Sequence, residues 1–121
     1  MQNIQAFQSH MPVLAQEVYV HATATIIGDV SIGAHSSIWP GAVIRGDVNF
    51  IRIGVETNIQ ALGSLHVNHR SLEDPEGAPL VIGNRVTVGH MVILHGCTIE
   101  DESLIGMGSI VMDKAVVQRH V

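Results

Sequence analysis

The chain has 121 residues, of which 46% are hydrophobic, only 3% are aromatic and only 14% are charged. Its formal net charge is −5 with 6 lysines and arginines in all, which excludes an extended basic surface for nucleic acid. The length predicts one domain, residues 1–121, and the low charge predicts that part of the surface is buried in an oligomer.

The sequence also predicts the cellular location of the protein. No apolar run reaches the roughly 18 residues of a membrane helix, which argues against a membrane partner. Residues 1–15 lack the features of a signal peptide. The single cysteine, Cys97, excludes an internal disulfide and is predicted to be a small core residue. Together these features predict the cytoplasm.

Aliphatic residues recur at every sixth position along most of the chain. The runs are Val20, Ile26, Ile32, Ile38 and Ile44; Ile53, Ile59 and Leu65; Ile82, Val88 and Leu94; and Ile99, Ile105, Val111 and Val117. A period of six fits neither an α-helix nor a simple strand, but it is the hexapeptide signature of an all-β protein, the parallel β-helix. Each hexapeptide forms one side of a coil and points its aliphatic residue inward. Asp29 and Asn84 are predicted to take positive φ at corners.

Interruptions of the period predict irregular segments. Residues 1–15 are predicted to be an N-terminal lead-in strand or strap. Ile44 and Ile53 are three positions too far apart, which predicts a bulge in residues 45–52. Leu65 and Ile82 are seventeen positions apart. That interval has two explanations. It is either a full coil of three six-residue sides that lacks one residue, or a single six-residue side with an excursion of eleven residues.

The composition of residues 68–79 decides between these two alternatives. This stretch carries two prolines, a glycine and most of the local charge, which is typical of a protruding loop. At the other end, no cap is visible after Val117. Repeat arrays normally need a cap, so we expect that a neighbour covers this end or that the chain is truncated.

Three histidines lie in similar aliphatic settings: His66, His90 and His95. If the loop adds eleven residues, His95 lies one coil above His66, and the two imidazoles stack about 4.8 Å apart on one face. His90 lies on the adjoining face, near a corner. A threefold trimer could bring His90 of one subunit to His66 and His95 of the next. Three imidazoles and an open position form the type of zinc site that makes bound water acidic.

An ordered set of motifs resembles the gamma-class carbonic anhydrases, above all their shorter bacterial hexapeptide-repeat homologues. The motifs are I-R-G-D (44–47), N-I-Q (58–60), S-L-H-V (64–67), V-G-H (88–90), L-H-G-C-T-I (94–99) and I-G-M-G-S-I (105–110). The resemblance covers nearly the whole chain. It implies a left-handed β-helix of about five triangular coils and a homotrimer. It also implies zinc, or in some members iron or cobalt, bound by His66 and His95 of one subunit and His90 of the next.

The resemblance further implies an activity and three more site residues. The activity is reversible hydration of carbon dioxide to bicarbonate, with metal-bound hydroxide as the nucleophile. Arg45 and Asp47 match the family's Arg–Asp pair beside the metal, although a purely structural salt bridge is an equal alternative. Gln60 matches the glutamine that orients the bound water. Asn58 is interpreted as a turn residue.

Several departures from the family keep other functions open. Ala61 replaces the usual aspartate, Val48 replaces an acidic residue of the most active members, and His69 stands where a glutamate proton shuttle is expected. The family's last coil and C-terminal helix have no counterpart. A metal-binding trimeric scaffold without significant catalysis is therefore one alternative. A CoA-dependent acyltransferase is a weaker one, because few basic residues are present to bind the CoA phosphates.

Overall fold

The structure is a computed structural model that describes residues 3–121, and these residues form short strands joined by turns. The strands are β1 (Asn3–Gln5), β2 (Val13–Leu14), β3 (Tyr19–Val20), β4 (Thr25–Ile32), β5 (Ser37–Ile38), β6 (Val43–Ile53), β7 (Asn58–Ile59), β8 (Ser64–His66), β9 (Leu80–Ile82), β10 (Thr87–Val88), β11 (Ile93–His95), β12 (Thr98–Ile99), β13 (Leu104–Ile105), β14 (Ile110–Val111) and β15 (Val116–Val117). Within residues 3–121 there is no helix of the length and apolarity needed to cross a membrane.

The strands form three faces of a left-handed parallel β-helix of about five turns. Face 1 contains β1, the first half of β4, the first half of β6, β8, β11 and β14. Face 2 contains β2, the second halves of β4 and β6, β9, β12 and β15. Face 3 contains β3, β5, β7, β10 and β13. The chain visits the faces in the constant order 1, 2, 3, so the predicted hexapeptide β-helix is confirmed.

Inward aliphatic side chains fill the interior of the prism, as the six-residue period predicts. On face 1, the residues Ile26, Ile44, Leu65 and Leu94 are register partners in successive coils, and none exposes more than 1% of its surface. Burying one such side chain contributes about 1.5–3 kcal/mol. Because each layer packs only on its neighbours, this stabilisation is spread along the array rather than concentrated in one centre.

The N-terminal segment contributes two of these strands. The strand β1 pairs with β4 through Asn3 and Thr25, and β2 pairs with β4 through Leu14 and Ile32. Residues 1–2 of the predicted lead-in lie outside the described residues. The rest of the segment supplies sides of the first coil instead of a separate strap.

The bulge and the loop lie against each other. The register between β4 and β6 shifts between Gly28 and Val30, so residues 47–50 leave the ladder. The loop closes through a bridge between Asn68 and Ala78. The buried Asn49 joins the two segments, because its Nδ2 donates to the carbonyl oxygens of Asn68 at 3.1 Å and of Glu76 at 2.9 Å. The bulge and the loop, which interrupt the six-residue period, therefore pack together at the side of the prism.

The corner prediction for Asp29 and Asn84 is wrong. Positive φ occurs at the neighbouring Gly28 (86°) and Arg85 (55°). Gly54, which follows an inward isoleucine, is required for another reason: a Cβ there would lie 2.6 Å from the carbonyl oxygen of Gly83 in the next coil. Glycine after the inward residue therefore allows close approach of successive coils.

Gly54→Ala is expected to lower the free energy of unfolding by about 1–3 kcal/mol, because the new methyl group overpacks the contact between coils. Gly106→Ala is the matched control, since a Cβ at that position meets only Ser109 Oγ, at 4.0 Å. Urea denaturation monitored by circular dichroism measures both changes. Equal destabilisation by the two substitutions would contradict the close-approach explanation.

Candidate metal centre

The strands β8 and β11 bring His66 and His95 together on face 1. The two residues are register partners at the ends of these strands, and both are half-buried. His66 Nδ1 lies 3.3 Å from His95 Nε2, and the ring centroids are 5.1 Å apart. Their separation of 29 residues equals the coil length deduced from the excursion. The eleven-residue loop is therefore the alternative that the structure contains.

A carboxylate contacts each imidazole on its far side. Asp47 Oδ1 lies 2.9 Å from His66 Nε2, and Asp113 Oδ1 lies 2.5 Å from His95 Nδ1. Because a carboxylate only accepts hydrogen bonds, the ring nitrogen that faces it carries the proton. In the neutral rings, the two nitrogens that face each other then both present lone pairs.

Two converging lone pairs repel unless a cation lies between them, either a proton on one ring or a metal ion. Zinc binds imidazole nitrogen at about 2.0–2.1 Å, so two ligands at the tetrahedral angle are about 3.3–3.4 Å apart. The observed separation of 3.3 Å agrees with that value. Carboxylates that accept a proton from the far nitrogen are also the usual orienting partners of metal-binding histidines. The donor set therefore fits a divalent metal such as zinc.

Asp47 also connects the histidine pair to Arg45. Arg45 Nη1 donates to Asp47 Oδ2 at 2.6 Å, and the Val48 amide donates to Asp47 Oδ1 at 2.8 Å. Partial burial opposes ionisation of Asp47, but the hydrogen bonds from His66 and the Val48 amide and the charges of His66 and Arg45 hold its pKa below the usual range. Asp47 is therefore a carboxylate at neutral pH, as its role toward His66 requires.

Gln60 and His90 lie at a different corner, where the strands of face 3 end. Both line a groove of about 520 Å³, and His90 also lines an adjoining cavity of about 380 Å³. Within residues 3–121, no three His, Cys, Asp or Glu side chains are grouped so that they could hold one metal ion. One chain therefore presents two separate halves: His66 and His95 at one corner, and His90 at the other.

The interpretation of Asn58 as a turn residue is wrong. Asn58 begins the strand β7, and its side chain forms hydrogen bonds with the side chains of Gln60 and Thr87. Gln60 Nε2 donates to Asn58 Oδ1 at 2.6 Å, and Asn58 Nδ2 donates to Thr87 Oγ1 at 3.2 Å. Asn58 therefore fixes the side chain of Gln60 beside the groove.

Asp113 is a residue of this centre that the sequence analysis missed. It lies 18 residues after His95, whereas the register of β11 with β14 advances 17 residues, so Asp113 comes one residue after the position directly above His95. Asn68 Nδ2 donates to its second carboxylate oxygen at 3.1 Å. A count of one coil from His95 reaches Met112, so the coil register alone does not identify the contact between Asp113 and the imidazole.

Cys97 is buried in the core, as the sequence predicts, and burial raises the pKa of its thiol to about 11. The thiolate is the reactive form of cysteine. We therefore expect almost no reaction of the folded protein with a disulfide reagent at mildly alkaline pH, and reaction of one thiol per chain after unfolding. Rapid labelling of the folded protein would contradict this expectation.

The hexapeptide repeat and most of the chain are similar to known proteins. Residues 11–46 match the family described as bacterial transferase hexapeptide (six repeats). The chain is 47% identical over 110 residues to Protein YrdA of Escherichia coli (strain K12), an alignment that covers 91% of this chain and 60% of YrdA. It is 48% identical over 109 residues to Gamma carbonic anhydrase 1, mitochondrial, of Arabidopsis thaliana, which covers 90% of this chain and 39% of that protein.

A solved structure gives the same result for the fold. The hexapeptide transferase family protein from Anaplasma phagocytophilum is 36% identical with a TM-score of 0.83, over 98% of this chain and 72% of that chain. The chain spans 60% of the length of YrdA and 39% of the plant protein. What those longer proteins do is therefore a basis for proposals about this chain.

Proposed function

The chain belongs to the gamma carbonic anhydrase family of hexapeptide-repeat proteins, and on that premise we propose that it catalyses the reversible hydration of carbon dioxide to bicarbonate as a metal-dependent homotrimer. The observation that carries the proposal is the pair of imidazoles, His66 and His95, each in contact with a carboxylate on one side and with facing ring nitrogens 3.3 Å apart on the other. Such a pair is arranged to hold a cation, and a third ligand is still required for a tetrahedral site with one open position.

The surface between the two corners supports an assembly that supplies this third ligand. Ile93 and Ile110 point outward from face 1, and Met91 and Met107 lie beside His90 with 62% and 77% of their surfaces exposed. A contiguous apolar patch of this kind marks a protein–protein interface. We infer that three chains bury this patch and that His90 of one chain lies beside the histidine pair of the next.

When bound, a divalent ion supplies the Lewis acidity that makes water nucleophilic near neutral pH. Asp47 and Asp113 keep the two imidazoles in the tautomers that leave the inner nitrogens unprotonated. His90 completes the ligand set from the neighbouring chain. Zinc fits the distance between the two nitrogens, and iron and cobalt remain alternatives in the same donor set.

Gln60 and Arg45 act on the reactants. Gln60 comes from the same half as His90, and its amide can accept one hydrogen bond from the attacking water and donate another. Asn58 restricts the rotation of this amide, which keeps it directed at one place. Arg45 presents a planar fork that suits bicarbonate, while its bond to Asp47 fixes its position.

Stopped-flow measurement of carbon dioxide hydration by the zinc-loaded protein tests the proposal. We expect a rate above that of free zinc at the same concentration. Protein that binds about one zinc ion per subunit and gives no such rate would contradict catalysis and favour the metal-binding scaffold, the alternative that Ala61 and Val48 suggest. Stabilisation by acetyl-CoA in a thermal melt would instead favour a CoA-dependent acyltransferase.

A further inference from the structure

A cavity of about 420 Å³ lies between the N-terminal segment, the bulge and the loop. Its lining includes Phe7 and His10 from the N-terminal segment, Val48 from the bulge, and His69 and Arg70 from the loop. The cavity meets the candidate metal centre at Asp47, which belongs to both. Its volume is many times the roughly 30 Å³ that one water molecule occupies in the liquid.

The carboxylates of the cavity wall are already neutralised by other arginines. Asp29 Oδ1 lies 3.0 Å from Arg52 Nη1, which also donates to the Asp29 carbonyl oxygen at 3.2 Å. Asp47 is paired with Arg45 at 2.6 Å. The two acidic residues therefore contribute little net negative charge to the cavity.

Arg70 is different, because it forms no hydrogen bond or ion pair with any residue in the range 3–121. It is exposed at the cavity together with the ring of His69, and His10 lies across from them, 3.6 Å from Asp29. The cavity thus contains one unpaired guanidinium and two imidazoles that can add N–H donors. Asp29 and Asp47 have ion-pair partners, so Arg70 is the charged group of the lining without one among residues 3–121.

The loop that carries Arg70 is held in place by its own contacts. Asn49 donates to two loop carbonyls, and Gly77 is packed so closely that a Cβ would lie 2.8 Å from Asn49 Nδ2. Lys114 Nζ pairs with Asp74 at 2.7 Å. The backbone that carries Arg70 is therefore held in place, so binding a ligand has to order the Arg70 side chain but not the loop.

We propose that this cavity binds a small carboxylate-type anion with Arg70 as its anchor. A guanidinium fork can donate two parallel hydrogen bonds to such a group, and these bonds are among the stronger ones in proteins. Phe7 and Val48 supply an apolar wall for a short hydrocarbon tail, while bicarbonate presents a similar pair of oxygens without a tail. Binding does not depend on the proposed function, but a role in holding bicarbonate next to the metal centre rests on it.

Calorimetric titration of the zinc-loaded protein with bicarbonate, acetate and butyrate, at fixed pH and ionic strength, tests the proposal. We expect saturable binding of at least one of them. Its affinity should fall about tenfold or more in Arg70→Gln, since a hydrogen bond to a charged group is lost, and less in Arg70→Lys, which keeps the charge without the fork. Arg119→Gln is the matched control, because Arg119 is exposed, lines a different groove, and its side chain forms no hydrogen bond or ion pair within residues 3–121.

The three anions distinguish the two sources of the ligand. Tighter binding of butyrate than of acetate indicates an organic carboxylate packed on Phe7 and Val48, and binding of bicarbonate alone indicates the product of the proposed reaction; both support the site. Binding that is equal in Arg70→Gln and the unmodified protein, or no saturable binding of any anion, would overturn it. A His95→Asn protein that has lost its metal should still bind the anion, so failure of the metal centre and failure of this site give different results.

Discussion

If the proposed function is right, His95→Asn is expected to reduce the zinc content of the purified protein from about one ion per subunit to nearly none, and to remove the proposed carbon dioxide hydration with it. Loss of a residue that merely orients a metal ligand costs about 10–100-fold in affinity, and loss of the ligand itself costs at least as much. The fold should persist, because His95 is an outward residue at the end of β11 and leaves the inward Leu94 unchanged. Metal analysis by mass spectrometry and circular dichroism measure the two effects.

His35→Asn is the matched control for this change. His35 is an exposed histidine whose contact is with Glu17, at 3.5 Å, and it lies outside the candidate centre. We expect it to keep its zinc and its activity. Equal zinc in the two variants would show that the His66–His95 pair does not hold the metal.

Ile93→Glu is expected to convert the proposed trimer into monomers and to release its proposed metal at the same time. Ile93 points outward from the middle of the proposed interface, and each trimer would bury three unpaired carboxylates, at a cost of several kcal/mol each. Val81→Glu is the control, because Val81 also points outward from a strand and the two side chains are 40% and 36% exposed. Analytical ultracentrifugation with metal analysis follows both quantities.

The two variants separate assembly from folding. Val81→Glu should stay trimeric and keep its metal, since face 2 carries none of the proposed ligands. If Ile93→Glu also remained a trimer with bound zinc, face 1 would not be the interface, and the third ligand would have to reach the histidine pair in another way.

The fold was predictable because inward-pointing residues recur at nearly constant intervals along the chain. A residue such as Ile44 points inward, and its partner one coil later is found by adding the residues of three sides. The excursion after Leu65 required a choice between two alternatives, and the composition of the loop was sufficient to make it. The winding sense is not encoded in a period of six, and the prediction of a left-handed coil therefore came from the family resemblance alone.

The site was predictable only in part, because its chemistry depends on side-chain contacts that a period does not show. The register placed His66 under His95, but one coil further it reaches Met112, and so it does not predict the contact of Asp113 with His95. Asn58 was interpreted as a turn residue, whereas it lies in β7 and accepts a hydrogen bond from Gln60. The cytoplasmic location and the roles of Arg45 and Gln60 stay predictions.

Mixed trimers test the central claim, a metal held between chains, most directly. His90→Asn subunits and His66→Asn subunits should each form trimers without bound zinc. When the two are co-expressed and trimers that contain both are isolated through different affinity tags, the account predicts about one zinc ion per mixed trimer, at the single interface where an intact His90 faces an intact His66 and His95. Mixed trimers as free of zinc as either parent, or zinc retained by one of the parents, would contradict it.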